Sequence, residues 1–234
     1  LLTNSNFDLL KLPFPLALSF VTFQTIAFIC DCYEDSISEF SFKKYALFII
    51  FFPQLIAGPI VRFNSMISQF YSERNSIFNF KNIIIGLIIL SIGIIKKVFI
   101  ADNLSVFSDQ VFALKENLSL FEVWMGTFCF TFQIYFDFSG YIDMATGIAL
   151  MFNIVLPLNF NSPYKATGII DFWQRWHITL TSFLTNYIYT PMLRSFKNLN
   201  FLKSMIATFI VFLIAGLWHG PSWLFVIFGA LHGF

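Results

Sequence analysis

His219, in the second half of the chain, stands where proton transfer could take place. It lies in the segment Gly-Leu-Trp-His-Gly-Pro at 216–221. An imidazole has an ordinary pKa of about 6.5 and can accept and return a proton at neutral pH. Gly220 and Pro221 are expected to end a helix and to expose backbone beside the ring. The small residues before Leu217 allow close approach of a substrate or another helix. The segment predicts catalysis, transport or a hydrogen-bonded structural histidine.

His177 ends a second segment, Asp-Phe-Trp-Gln-Arg-Trp-His at 171–177. On a helix, Asp171 and Arg175 are i, i+4 partners that can neutralise each other. Trp173 is expected to stack above His177 at the same spacing. The same residue types also suit an aromatic and charged belt at a membrane interface, so both interpretations remain open.

A third polar segment, 133–143, contains two carboxylates. On a helix Asp137 and Tyr141 share one face, whereas Asp137 and Asp143 lie on different faces unless the helix bends. They therefore do not predict a paired acid and base. They either bind a substrate or relay protons, or they join helices by hydrogen bonds. The remaining histidine, His232, is interpreted as structural.

The composition indicates that these residues lie in a membrane protein. Of 234 residues, 57% are hydrophobic and 12% are charged, against roughly 25% charged in an ordinary soluble domain. Lys and Arg number 14 and Asp and Glu 13, which gives no basic field for nucleic acid. Three cysteines form neither a disulfide framework nor a zinc motif, and no metal site is predicted. The motifs of serine and zinc hydrolases are also missing from the sequence.

Six apolar runs qualify, or nearly qualify, as membrane spans of about 20 residues, and each is expected to be helical. They are 12–30, 45–61, 83–100, 118–138, 201–219 and 222–234. The stretch 139–193 carries scattered Gly and Pro, which predicts short or re-entrant pieces beside a cavity, and the functional site is expected there. We predict an all-α polytopic membrane protein, a bundle of transmembrane helices with broken or re-entrant helices.

Charge gives an orientation with one inconsistency. The positive-inside rule places residue 70 in the cytoplasm. Lys96 and Lys97 then fall on the opposite side. Either 83–95 does not cross the membrane, or these lysines snorkel or face a cavity. The chain begins at Leu1 and ends at Phe234 inside an apolar run, so residues 1–234 are expected to be one membrane domain, an internal fragment lacking both termini.

The sequence resembles the membrane-bound O-acyltransferases, closest to the bacterial branch of alginate O-acetyltransferase and the teichoic acid D-alanyl transfer protein. Five segments occur in the family's order along nearly the whole chain. They are Phe-Pro-Gln-Leu-Ile-Ala-Gly-Pro-Ile-Val-Arg at 52–62, 135–143, Pro-Leu-Asn-Phe at 157–160, 171–177, and Leu-Trp-His-Gly at 217–220. The resemblance implies a helical bundle around a central tunnel, in which an acyl group from a cytoplasmic thioester reaches a hydroxyl of an extracytoplasmic acceptor.

Carried over by position, the family's catalytic histidine falls on His219 and its second histidine on His177. Eight further residues are expected to bind substrate or support the site: Asp137, Tyr141, Asp143, Asn159, Asp171, Trp173, Arg175 and Trp218. Thr185 and Asn186 stand where alginate-type members typically carry a basic and an acidic residue. This departure weakens any inference about an anionic acceptor or about docking of an accessory protein at these positions.

The resemblance also implies the reaction's other participants. No bound cofactor is expected; the donor is acetyl-CoA or an acyl carrier protein. The expected partners are the lipid bilayer, the polysaccharide acceptor and an extracytoplasmic accessory acyltransferase protein, and the expected location is the bacterial cytoplasmic membrane. Acetylation of an exported polysaccharide leads over D-alanylation of teichoic acid. A transporter with an intramembrane His/Asp relay and a non-catalytic export scaffold remain as alternatives.

Overall fold

The computed structural model describes residues 17–37, 40–114 and 118–234, and these ranges contain helices and no strand. The helices are α1 (Leu18–Tyr33), α2 (Phe42–Ile50), α3 (Phe52–Leu55), α4 (Phe63–Phe70), α5 (Phe80–Ile94), α6 (Asp102–Ala113), α7 (Leu120–Met151), α8 (Ile169–Arg175), α9 (Ile178–Leu184), α10 (Thr190–Ser195), α11 (Phe201–His219) and α12 (Trp223–Gly233). Residues 12–16 of the first predicted span lie outside the described residues. The all-α fold is confirmed.

Among the described residues, two helical units are long and apolar enough to cross a membrane, by length and composition. They are Phe80–Ala113, which joins α5 and α6 through the π-helical segment Ile95–Ala101, and α11. On α5, Ile84, Ile88 and Ile92 are exposed at i, i+4 spacing. Exposure of such a row of large apolar side chains costs free energy in water but not in lipid. The outward face of α5 is therefore a lipid-facing surface or a contact with another membrane helix.

Glycines let the long helix 80–113 pack closely against α7. A Cβ atom on Gly86 would lie 2.5 Å from the carbonyl oxygen of Gly147, and one on Gly93 would lie 2.6 Å from that of Gly140. As the residue number rises along one helix, the number of its partner falls along the other, so the helices run antiparallel. Close backbone contact through small residues is a standard means of helix association in membranes. These contacts fix α7, which carries three of the predicted site residues.

The change Gly93→Ala tests this packing, because helix propensity predicts higher stability for the variant and packing predicts lower stability. Propensity alone favours alanine by about 1 kcal/mol. The added Cβ meets backbone of α7 at 2.6 to 2.7 Å, and overpacking of this kind costs about 1 to 3 kcal/mol. We expect a lower unfolding temperature for the full-length protein in detergent. Gly168→Ala is the control, since nothing lies within 4 Å of its added Cβ; equal unfolding temperatures for the two variants would contradict the packing argument.

Two expectations about the helices are wrong. The run 45–61 is not one helix: α2 ends at Ile50, α3 has four residues, and the chain then passes through Gly58 and Pro59 without helical structure. Proline interrupts a helix because it has no backbone N–H to donate to the carbonyl of the preceding turn. Conversely, α7 continues to Met151 through Gly140 and Gly147. Glycine in a helix costs only about 1 kcal/mol, which close packing against α5 offsets here.

The chain is broken after α7, as predicted. Residues 152–168 are mostly non-helical, and α8 and α9 have seven residues each. A buried cluster of Ala27, Ile60, Leu180, Phe183 and Leu184 joins α1, the segment after α3, and α9. Trp218 of α11 packs against this cluster. The short helices are thus held between α1 and α11.

Lys96 and Lys97 lie within one continuous helix and pair with carboxylates. Lys96 Nζ is 2.5 Å from Asp143 Oδ2, and Lys97 Nζ is 2.7 Å from Asp137 Oδ1 and 2.6 Å from Asp102 Oδ1. The π-helical segment that contains both lysines widens the helix locally, a feature that breaks the usual periodicity. The lysines therefore join two helices by ion pairs, and pairing reduces the cost of placing charge among apolar side chains.

Candidate active site

A cavity of about 520 Å³ lies between α7, α8, α9, α11 and α12. Its walls are mainly aromatic and aliphatic, and they carry three histidines: His177, His219 and His232. None of the described lining residues is an Asp, Glu, Lys, Arg or Cys. The imidazoles are therefore the lining side chains whose ordinary pKa lies near neutral pH. Any acid–base chemistry in this cavity by these residues falls to histidine.

His219 is the last residue of α11 and is placed by the turn to α12. Gly220 N–H donates to Leu217 O, and Ser222 Oγ accepts from Leu224 N at the start of α12. The two helices then pack closely, because a Cβ on Gly216 would meet backbone of α12. In the described part of the chain, the His219 ring has aromatic neighbours, among them Trp218 and Phe225, and no hydrogen-bond partner. The ring is free to engage a molecule in the cavity.

His177 joins α8 to α9 and has a left-handed backbone, with φ of 45°. This conformation costs a residue with a Cβ about 1 to 2 kcal/mol and persists only where surrounding contacts impose it. The side chain is 4% exposed, and Nδ1 lies 3.1 Å from Asn159 Oδ1. Nε2 is buried and has no partner. Because the ring lines the cavity, Nε2 is the nitrogen available to a bound molecule.

Trp173 and Trp218 line the same cavity and bring two indole N–H groups to it. Both Nε1 atoms are buried without a partner, and a buried donor normally finds one. The expected stacking of Trp173 on His177 is wrong. Helix α8 ends at Arg175, which breaks the i, i+4 relation, and Trp173 instead meets His232 edge-on with ring centroids 5.1 Å apart.

Asp171 and Arg175 form the predicted ion pair, with Nε and Oδ1 2.6 Å apart. Arg175 also donates to Asn161 O, and Thr167 N–H donates to Asp171. The hydrogen bond from Arg175, with that from Thr167, holds the pKa of Asp171 below its usual value. Neither residue lines the cavity. The pair ties α8 to the segment before it and so fixes the helix that carries Trp173.

Three predicted residues on α7 lie outside the cavity lining. Asp137 and Asp143 are held by Lys97 and Lys96. Tyr141 packs against the buried cluster around Phe48, with its hydroxyl oxygen near the backbone N–H groups of 56 and 57. Asn159 is fully buried and contacts His177 without lining the cavity. The structure therefore brings His177, His219, Trp173 and Trp218 together and leaves the carboxylates apart.

His232, interpreted from the sequence as structural, is the third histidine in the described lining of the cavity. It lies on α12, with its ring 4.6 Å from that of Phe228. The usable signal was the Gly220–Pro221 break, which predicts that the following helix turns back along α11. A histidine on that returning helix faces residues of the preceding one.

Comparison with known proteins identifies the family of the chain. Residues 32–234 match the model of the MBOAT, membrane-bound O-acyltransferase family. The chain is 48% identical to a peptidoglycan O-acetyltransferase of Helicobacter pylori over 259 aligned positions, which cover 100% of this chain and 49% of that protein. It is 37% identical to a probable alginate O-acetylase, AlgI, of Pseudomonas aeruginosa (97% of this chain, 43% of that protein).

More distant similarity is found to a teichoic acid D-alanyltransferase of Streptococcus thermophilus, at 26% identity over 93% of this chain and 55% of that protein. The chain thus spans about half the length of the curated relatives it matches. The family match covers most of the chain, and with the helical fold and the histidine-lined cavity it shows that this chain belongs to the membrane-bound O-acyltransferase family.

Proposed function

We propose that this chain forms the acyl-transfer centre of a membrane enzyme that moves an acetyl group from a thioester to a hydroxyl of an exported or cell-envelope polysaccharide. The observation that carries the proposal is the cavity, in which His177 and His219 are accompanied by unpaired indole donors. Family membership supports acyl transfer as the reaction class.

In this proposal His219 is the general base. It takes the proton of the acceptor hydroxyl as the hydroxyl oxygen bonds to the thioester carbonyl carbon. The C–S bond then breaks, and the imidazolium returns the proton to the leaving thiolate. The products are an ester and a thiol, and no acyl-histidine intermediate is needed. The indole N–H groups of Trp173 and Trp218 are suited to donate to substrate oxygens, including the carbonyl oxygen that gains charge.

The lining of the cavity favours acetyl over D-alanyl. A D-alanyl ester carries an ammonium group, and burial of an ammonium without a partner is costly. The described lining residues include no carboxylate to pair with it. The identities point the same way, at 48% and 37% to the two O-acetyl-transferring relatives and 26% to the D-alanyl-transferring one.

The surroundings of the reaction are also part of the proposal. The protein is placed in the bacterial cytoplasmic membrane as a multi-pass protein, with the donor, acetyl-CoA or an acyl carrier protein, on the cytoplasmic side. An extracytoplasmic accessory acyltransferase protein assists the transfer to the polysaccharide. The transporter alternative relied on Asp137, Asp143, His177 and His219 as relay groups, and the two carboxylates lie outside the cavity in ion pairs with lysines.

The test is to feed labelled acetate or labelled D-alanine to cells that carry the full-length protein and to cells lacking it. We expect acetyl label on envelope polysaccharide only where the protein is present. D-alanyl label in its place would overturn the choice of acyl group. Equal labelling by both kinds of cells would overturn the enzymatic proposal.

A further inference from the structure

Asn159 holds His177 through a set of hydrogen bonds that converge on one oxygen atom. Its side chain has no exposed surface. Oδ1 accepts from Thr179 N at 3.1 Å and from Thr179 Oγ1 at 2.9 Å, and it lies 3.1 Å from His177 Nδ1. The amide nitrogen, Nδ2, is buried without a partner. The asparagine is therefore held through its oxygen.

The donors identify that atom as oxygen. The N–H of Thr179 can only donate, so the Asn159 atom facing it must accept, and the flipped amide would set two donors against each other. The Thr179 hydroxyl accepts from Ile60 N at 3.0 Å. The hydrogen of that hydroxyl is therefore available to Asn159 Oδ1. Because His177 Nδ1 also faces this oxygen, Nδ1 carries the hydrogen in the neutral ring. Nε2 then carries the lone pair.

We propose that Asn159 is a positioning residue that fixes neutral His177 as the Nδ1–H tautomer and so presents Nε2 as a hydrogen-bond acceptor to the polysaccharide. The inference rests on the proposed function. Nε2 accepts from a hydroxyl of the sugar next to the one that reacts, while His219 takes the proton of the reacting hydroxyl. The other tautomer carries its hydrogen on Nε2, which therefore cannot accept a hydrogen bond from that hydroxyl. Sugars carry neighbouring hydroxyls, so one residue can be held by two imidazoles.

Asn159 also has a structural role, which the test must separate from positioning. Its backbone oxygen accepts from Ile178 N at 3.0 Å, and its side chain accepts from Thr179 N. These bonds satisfy backbone donors at the start of α9, where His177 supplies no side-chain cap. Loss of the side chain therefore affects both the helix end and the tautomer.

Two variants of the full-length protein distinguish the roles. Asn159→Leu keeps the size and removes the acceptor, whereas Asn159→Asp keeps an oxygen at the same place and replaces the unpartnered nitrogen with a second carboxyl oxygen. Asn82→Leu is the control for loss of an amide that bonds to a distant segment, because Asn82 Nδ2 donates to Asn153 Oδ1 at 2.8 Å. Neither of these residues lines the cavity. Acetyl transfer is measured with acetyl-CoA and an N-acetylglucosamine oligomer, varying each in turn.

We expect Asn159→Leu to lower kcat/KM for the oligomer by about 10- to 100-fold, the usual range for loss of a group that orients a functional histidine. The KM for acetyl-CoA is expected to stay unchanged. Asn159→Asp is expected to restore most of the loss, and Asn82→Leu to leave both constants near wild type. Equal loss of kcat/KM toward the oligomer and toward acetyl-CoA in Asn159→Leu would show a structural role only.

Nitrogen-15 spectroscopy of labelled histidines reads the tautomer without any activity. His177 is assigned from the signals that vanish in His177→Gly. We expect protonated Nδ1 and unprotonated Nε2 in wild type and Asn159→Asp, and a mixture of tautomers in Asn159→Leu. Protonated Nε2 in the wild-type protein would overturn the inference. If acetyl transfer itself is not found, the proposed function fails while the tautomer is still measured.

Discussion

Replacement of His219 by alanine is expected to lower acetyl transfer to envelope polysaccharide by about 10²- to 10⁴-fold, the usual contribution of a positioned general base. The physical reason is the composition of the cavity wall. The described lining residues offer no carboxylate, lysine or cysteine, so apart from the imidazoles of His177 and His232 no lining side chain can replace His219 as proton acceptor at neutral pH. The measurement is labelled acetate on polysaccharide, at matched abundance of wild type and variant in the membrane.

The control must show that the loss of acetyl transfer comes from the missing imidazole and not from a misfolded protein. His219 ends α11 and its side chain makes no hydrogen bond within the described structure, so removal of the ring leaves the backbone turn at Gly220 and the cap at Ser222 in place. The unfolding temperature of His219→Ala in detergent is expected to stay close to wild type. Unchanged labelling by a normally inserted His219→Ala protein would sink the assignment of the base. A scaffold that only supports export would behave in that way.

The helical class was predictable because it depends on quantities that a sequence carries directly. Apolar runs of sufficient length must be helical in lipid, and 201–219 forms α11 with those bounds. The error at 45–61 came from weighing hydropathy above Pro53, Gly58 and Pro59. The error at 139–151 came from treating glycines as helix breakers. Gly140 and Gly147 instead face Gly93 and Gly86 on another helix, a long-range contact that no local rule contains.

The site was predictable in part, for a related physical reason. His219 is marked by a local helix end, and Asp171 and Arg175 by helical spacing, so both features could be found in the sequence. The lysine partners of Asp137 and Asp143 lie 40 or more residues away along the chain, and the carboxylates therefore looked available for function. His232 faces the cavity only because α12 turns back along α11. Its proximity to Trp173 depends on that turn and on the early end of α8.

Removal of the His177 side chain is expected to reduce acetyl transfer by about 10²-fold or more, within the range for a positioned polar group. Its imidazole is expected to orient the acceptor, so the loss should fall on kcat/KM for the oligomer and spare the KM for acetyl-CoA. His177 also has a left-handed backbone. An alanine there is strained by about 1 to 2 kcal/mol, whereas glycine adopts the conformation readily.

Comparison of His177→Gly with His177→Ala therefore separates the ring from the backbone. Both variants lack the imidazole, and only the alanine is strained. If the ring orients the acceptor, the two variants lose activity to the same extent, although His177→Ala unfolds at a lower temperature. If the residue mattered only for the turn between α8 and α9, glycine would restore transfer and alanine would not. Since His177 Nδ1 is already bonded to Asn159, equal losses in both variants would leave Nε2 as the atom that acts on the substrate.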